Sequence, residues 1–172
     1  MKTFYKIIFT LLCMLVTHNL AQAQNPDRPH ALSFDGDGDR VEIPNLNLTT
    51  DTITIEAWIY PKGIANNLTG ILFSRRFGTG LGLMIDSDGQ IRYTWNNQHH
   101  TDASGLYATM HQWNHVAMVI TKDQVEIYLN ENRSVISNTH TDDYFNSDNL
   151  LTIGADPLIA SRYFNGFIDE VR

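Results

Sequence analysis

Thr52-Ile53-Thr54-Ile55-Glu56-Ala57-Trp58-Ile59-Tyr60 is the stretch on which the reading of the fold turns. Polar and apolar side chains alternate along most of it. A period of two marks an extended strand with one face on a core, because successive side chains point to opposite sides. Ile55, Ala57 and Ile59 fall on one face, and Glu56, Trp58 and Tyr60 on the other. Two further stretches repeat the pattern. Trp113 to Thr121 carries Val116, Met118 and Ile120 on one side, and Val125, Ile127 and Leu129 alternate with Glu126, Tyr128 and Asn130. Turn-forming residues separate such runs at Asp35-Gly36-Asp37-Gly38, Pro61-Lys62-Gly63, Asp86-Ser87-Asp88-Gly89 and Lys122-Asp123. The Asp88-Gly89 pair, set between Leu83–Ile85 and Ile91–Tyr93, predicts a hairpin. No dozen consecutive residues show helical periodicity. Many short strands with frequent turns predict an all-β sandwich or barrel.

The first residues read as an export signal. Lys2 and Lys6 precede an apolar run from Ile7 to Val16, and Ala21-Gln22-Ala23 supplies the small residues of a cleavage site. The run is shorter than the ~20 apolar residues needed to span a bilayer. Residues 1–23 are therefore expected to be removed, leaving a secreted or cell-surface chain. Residues 24–30, with Pro26 and Pro29, read as a linker, and residues 31–172 as one domain. The single cysteine, Cys13, lies in the leader, so the exported chain is expected to hold no disulfide. Lys2 and Lys6 are two of the 12 basic residues and no acid precedes residue 24, so the exported chain is more acidic than the whole-sequence charge of −7. With no basic cluster, nucleic acid and anionic membrane are poor partners.

Five segments together resemble the laminin-G-like jelly-roll family, relatives of the pentraxins and concanavalin-type lectins. They are Leu32-Ser33-Phe34-Asp35-Gly36 leading to Asp39-Arg40-Val41; Ile53 to Pro61; Trp113-Asn114-His115-Val116-Ala117-Met118-Val119; Val125 to Asn130 with Leu151-Thr152-Ile153-Gly154; and Phe164-Asn165-Gly166-Phe167-Ile168-Asp169-Glu170-Val171-Arg172. Their order and spacing cover nearly all of residues 31–172. The resemblance implies a two-sheet antiparallel β-sandwich, a concanavalin A-like jelly roll. It implies a non-catalytic binding or adhesion module that recognises a glycan or an extracellular protein. Family members usually run past the Asp-Glu-Val-Arg segment, so the last strand is expected to be cut short, as in a piece of a larger surface protein. Trp58 and Trp113 are expected to anchor the sandwich interior, and His115 matches a recurrent core position of the family.

The resemblance also implies a structural calcium, held where the two ends of a jelly roll meet by Asp35 near the first strand and Asp169 near the last. Asp35, Asp37 and Asp39 do not form an EF-hand, because Arg40 and Leu46 stand where Gly and Glu are needed. A solvated acidic turn is the competing reading of that cluster. The best carbohydrate-like stretch is Tyr93 to His100, where Trp95, Asn96, Asn97 and His99 would line a groove at a loop end. Ile91, Tyr93 and Trp95 share strand parity, so inward packing of Trp95 competes with that reading. On an extended strand His111 and His115 sit ~13 Å apart and cannot share a zinc ion unless the chain bends. Catalysis is not expected. The Glu-x-Asp-x-x-Glu strand of the related β-glucanases is absent, and no Gly-x-Ser-x-Gly elbow or phosphate loop occurs. A glycoside hydrolase, whole or in part, would need distant carboxylates to converge. A spacer domain without a ligand is the other alternative.

Overall fold

The structure, a computed structural model, describes residues 30–76, 79–95, 99–137, 145–146 and 150–172. The leader and all of the linker but His30 lie outside them, as do Asn96 and Asn97. The described chain forms two antiparallel sheets. In the first, the order is β1 (Leu32–Asp35), β14 (Asn165–Asp169), β4 (Ile53–Pro61), β9 (Asn114–Ile120), β10 (Gln124–Leu129) and β11 (Asn132–Ser137). In the second it is β2 (Val41–Ile43), β13 (Leu151–Ile153), β5 (Thr69–Arg76), β6 (Thr79–Ile85), β7 (Gln90–Trp95) and β8 (His99–Tyr107). A short ribbon pairs β3 (Thr49–Thr50) with β12 (Phe145–Asn146). No helix occurs among the described residues. The all-β class is the one the alternation predicts, and the two-sheet sandwich is the arrangement the family resemblance implies.

The core follows from strand parity. Ile55, Ala57 and Ile59 of β4, Val116, Met118 and Ile120 of β9, and Val125, Ile127 and Leu129 of β10 are all buried. They share one hydrophobic cluster with Leu81, Leu83, Ile85, Ile91, Tyr93 and Trp95 of the second sheet. Burial of apolar area between two such faces is the main stabilising term of a sandwich. The β6–β7 hairpin closes as its turn residues require. Ile85 pairs with Ile91, the Gly89 N–H donates to the Asp86 carbonyl at 2.9 Å, and Gly89 sits at φ +89°.

Buried Phe73 and Met84 depart from simple alternation, because they lie on the second sheet's other face. The Phe73 ring lies over Gly82, where a Cβ would come within 2.3 Å of it. The backbone of Ala155 lies against Gly70 in the same way, at 2.3 Å. Aromatic and loop cover on this side dries β5 to β7 on both faces, which is why Gly80 to Ile85 is buried throughout.

Candidate functional site

The first sheet's outer face is set by the residues of β4 that point away from the core. Glu56, Trp58 and Tyr60 are half-buried there. The register places Phe167 of β14 beside Tyr60, and His115 of β9 beside Trp58. Trp113 enters from the turn before β9. Its ring lies 5.6 Å from Tyr60 and 6.4 Å from Phe167, while Tyr60 and Phe167 are 5.8 Å apart. Trp58 and His115 are 5.3 Å apart. Tyr128 of β10 completes a stripe that crosses four strands, since Ala117 separates it from Glu56. With strands ~4.8 Å apart and residues ~3.4 Å apart, the stripe runs about 20 Å diagonally.

Local structure holds these rings in place. The buried Asn114 amide receives the Thr109 N–H at 3.0 Å and donates to the carbonyls of Thr109 at 2.9 Å and Gln112 at 2.8 Å. It thereby fixes the turn in which His111 sits at φ +58° and from which Trp113 enters β9. Gly166 sits at φ +146°, and a Cβ there would meet the Tyr60 carbonyl oxygen at 2.0 Å. Only glycine lets β14 approach β4 closely enough to bring Phe167 onto Tyr60.

Two ionic networks lie toward one end of the stripe. Glu56 accepts from the Arg172 guanidinium at 2.9 Å, and His115 Nε2 lies 3.3 Å from its other oxygen. Arg172 reaches Glu56 because β14 bulges. Asp169 pairs with Trp58, whereas the Arg172 and Glu56 backbones exchange two 3.0 Å hydrogen bonds, leaving one extra residue on the β14 side. Glu170 absorbs the bulge at φ +49°. Farther along, Glu126 accepts from Arg133, Tyr128 and Gln124. Its carboxyl is held below its ordinary range, first by the Arg133 hydrogen bond and then by Tyr128, and the Tyr128 phenol is pushed up by the same contact. Arg172 likewise lowers Glu56. At the opposite end of the stripe the Lys62 ammonium sits 3.8 Å from the Phe167 ring centroid.

The sequence-derived sites fare differently. Trp95 is 1% exposed and belongs to the core, so its ring has no free face for a ligand. His99 opens β8 with its backbone opposite Trp95. Asn96 and Asn97 lie outside the described residues. Asp35 and Asp169 do not converge. Asp35 pairs with Asn165, and Asp169 lies four residues beyond it on β14, roughly 13 Å away, so the two carboxylates do not fit one calcium ion. Asp35 instead receives the Asp37 N–H at 2.8 Å, and Asp39 receives the Asp35 N–H at 3.1 Å. No group of three His, Cys, Asp or Glu residues among the described ones is arranged to hold a metal. Trp58 corrects a second expectation, being on the outer face rather than in the interior. Trp113 is buried, but against Tyr60 and Phe167 on that same outer side. His115 is likewise half-buried outside the core. Parity with Glu56 was the available sign that Trp58 and Tyr60 face outward. Nothing local in the sequence shows that Phe167 and Trp113 join them.

Known structures share this architecture. Domain 4 of AbnA, an extracellular GH43 arabinanase from Geobacillus stearothermophilus solved with arabinotriose, aligns over 83% of this chain and 68% of its own, with a TM-score of 0.66 and 19% identity. A heptameric SAP-like pentraxin from Limulus polyphemus aligns over 81% and 73%, with a TM-score of 0.62 and 16% identity. Domains LG4-5 of the mouse laminin alpha1 chain align over 83% and 40%, with a TM-score of 0.64 and 14% identity. At such identities the likeness is one of fold. No curated protein matches the chain in sequence. The laminin-G profile of the concanavalin A-like lectin/glucanases superfamily matches residues 35–172, and with the two facing sheets described above it shows that this chain belongs to that superfamily.

Proposed function

We propose that this domain is a secreted, non-catalytic recognition module whose outer aromatic stripe receives an extended glycan. The carrying observation is the placement of Trp58, Tyr60 and Phe167 on a solvent-facing sheet, half-buried and fixed by neighbours, with ionised carboxylate–guanidinium pairs toward one end and the Lys62 ammonium at the other. Sugar rings present C–H faces that stack on aromatics and hydroxyls that need polar partners. A 20 Å stripe suits several sugar units in line better than a single small molecule. The arabinotriose held by the related arabinanase domain is in keeping with this ligand class. An extracellular protein is the second class of partner, the other one that the laminin-G resemblance implies. Export rests on the leader at residues 1–23.

Glycosidase chemistry fits the face poorly. Hydrolysis needs one carboxyl that stays protonated to donate to the leaving oxygen. Glu56 and Glu126 are each held ionised by a guanidinium, which is the wrong poise for that acid. The test is isothermal titration of residues 24–172 against a panel of soluble plant and microbial oligosaccharides. Binding should be lost by about tenfold or more in Trp58→Ala, with the fold unchanged by circular dichroism. A ligand that binds the variant as tightly as the parent would place recognition elsewhere.

A further inference from the structure

We infer that the glycan taken by this face carries an anionic group, a carboxylate or a sulfate, read by Lys62. The inference rests on the recognition reading above and adds the ligand's charge to it. Residues 24–172 contain only two lysines, Lys62 and Lys122. One of them is placed at the end of the aromatic stripe, with its Nζ 3.8 Å from the Phe167 ring centroid. The cations farther along the face are occupied: Arg172 by Glu56 and Glu170, and Arg133 by Glu126. Lys62 has no carboxylate partner among the described residues. Arg40, Arg92, Arg133, Arg162 and Arg172 each pair with an acid, whereas the Lys62 ammonium lies on a ring.

The position is also fixed. The Lys62 N–H donates to the Asn165 carbonyl at 2.9 Å, and the His111 N–H donates to the carbonyl of buried Pro61 at 2.8 Å. Anchoring the backbone on both sides lowers the ordering cost of presenting the side chain to a ligand. The acid facing this end is Asp35, which pairs with Asn165, and its carboxylate already receives the Asp37 N–H. A sugar ring stacked along Tyr60 and Phe167 would bring a substituent at its edge to the ammonium. An anionic oxygen there gains a charge-assisted hydrogen bond that a neutral hydroxyl does not.

The experiment titrates residues 24–172 with oligogalacturonate for the carboxylate, a sulfated dextran fragment for the sulfate, and a neutral arabino-oligosaccharide, at low and at physiological salt. At least one acidic ligand is expected to bind about tenfold more tightly than the neutral one, with the advantage shrinking as salt rises. Lys62→Met, which keeps the apolar stem on Phe167, should bring the acidic-to-neutral ratio close to one, and Lys62→Arg should restore it. Equal affinities in the parent, or an acidic preference that survives Lys62→Met, overturn the inference while leaving glycan recognition standing. Binding of an acidic peptide but of no sugar, or no binding to any glycan, overturns both.

Discussion

Glu56 is the residue on which the outer face is organised. It takes Arg172 on one oxygen and lies beside His115 on the other, and so ties the chain's last described residue to β4 and β9. Its carboxyl titrates below its ordinary range, chiefly through the Arg172 hydrogen bond. A group whose folded pKa is depressed contributes stability that is complete above its unfolded pKa of about 4.3 and is lost as pH falls through the lower folded value. Glu56→Gln is therefore expected to lower the melting temperature modestly at neutral pH. The gap between variant and parent should narrow below about pH 4. A gap that stays constant down to the acid limit, measured by thermal melts across pH, would mean that the contact is steric rather than ionic. Trp58 teaches the complementary lesson. Its size favoured an interior place, but its strand parity with Glu56 decided the outcome, because a one-residue shift of facing would have buried that carboxylate.

Among the elements, the β14–β4 pair sets the geometry of the stripe. Phe167 reaches Tyr60 only because Gly166 accepts φ +146° and leaves the Tyr60 carbonyl unobstructed. Gly166→Ala adds both backbone strain and a contact of 2.0 Å to that carbonyl. It is expected to cost at least about 2–3 kcal/mol and to weaken ligand binding by displacing Phe167. Chemical denaturation with and without ligand separates the two effects; a variant as stable as the parent would show that the strands can part without cost. β4, β9, β10 and the β6–β7 hairpin were legible because local alternation and an Asp-Gly turn encode them. The two-sided burial of β6 was not, because its cover comes from Phe73 on a neighbouring strand and from no pattern within β6 itself.

The molecule as a whole decides which distant residues meet. Antiparallel pairing of β1 with β14 brings the two ends of the domain together, as the jelly-roll resemblance implied, yet the register sets Asp35 against Asn165 and leaves Asp169 four residues away. That spacing argues against a calcium ion held jointly by these two carboxylates. Asp169→Asn is expected to leave any calcium response of the melting temperature the same as in the parent, measured by thermal shift with chelator and with added calcium. Loss of that response in the variant would mean that Asp169 binds the ion with other partners. The same assembly gathers Trp58, Tyr60, Trp113, Phe167 and Tyr128 from three strands and a turn onto one side of the first sheet, so the candidate site belongs to the sheet and to no single motif.

Alternation of apolar and polar side chains, with the Asp88-Gly89 turn, by itself determined the all-β class, the inward faces of β4, β9 and β10, and the β6–β7 hairpin, because a period of two and a turn pair need no information beyond the neighbouring residues. Only the tertiary structure decided that Trp95 is core, that Tyr60 meets Phe167 and the buried Trp113 on the outer side of the first sheet, and that Asp35 and Asp169 stay apart. Those outcomes depend on strand order and register, which link residues more than a hundred positions apart through backbone hydrogen bonds that carry no local signature in the side chains.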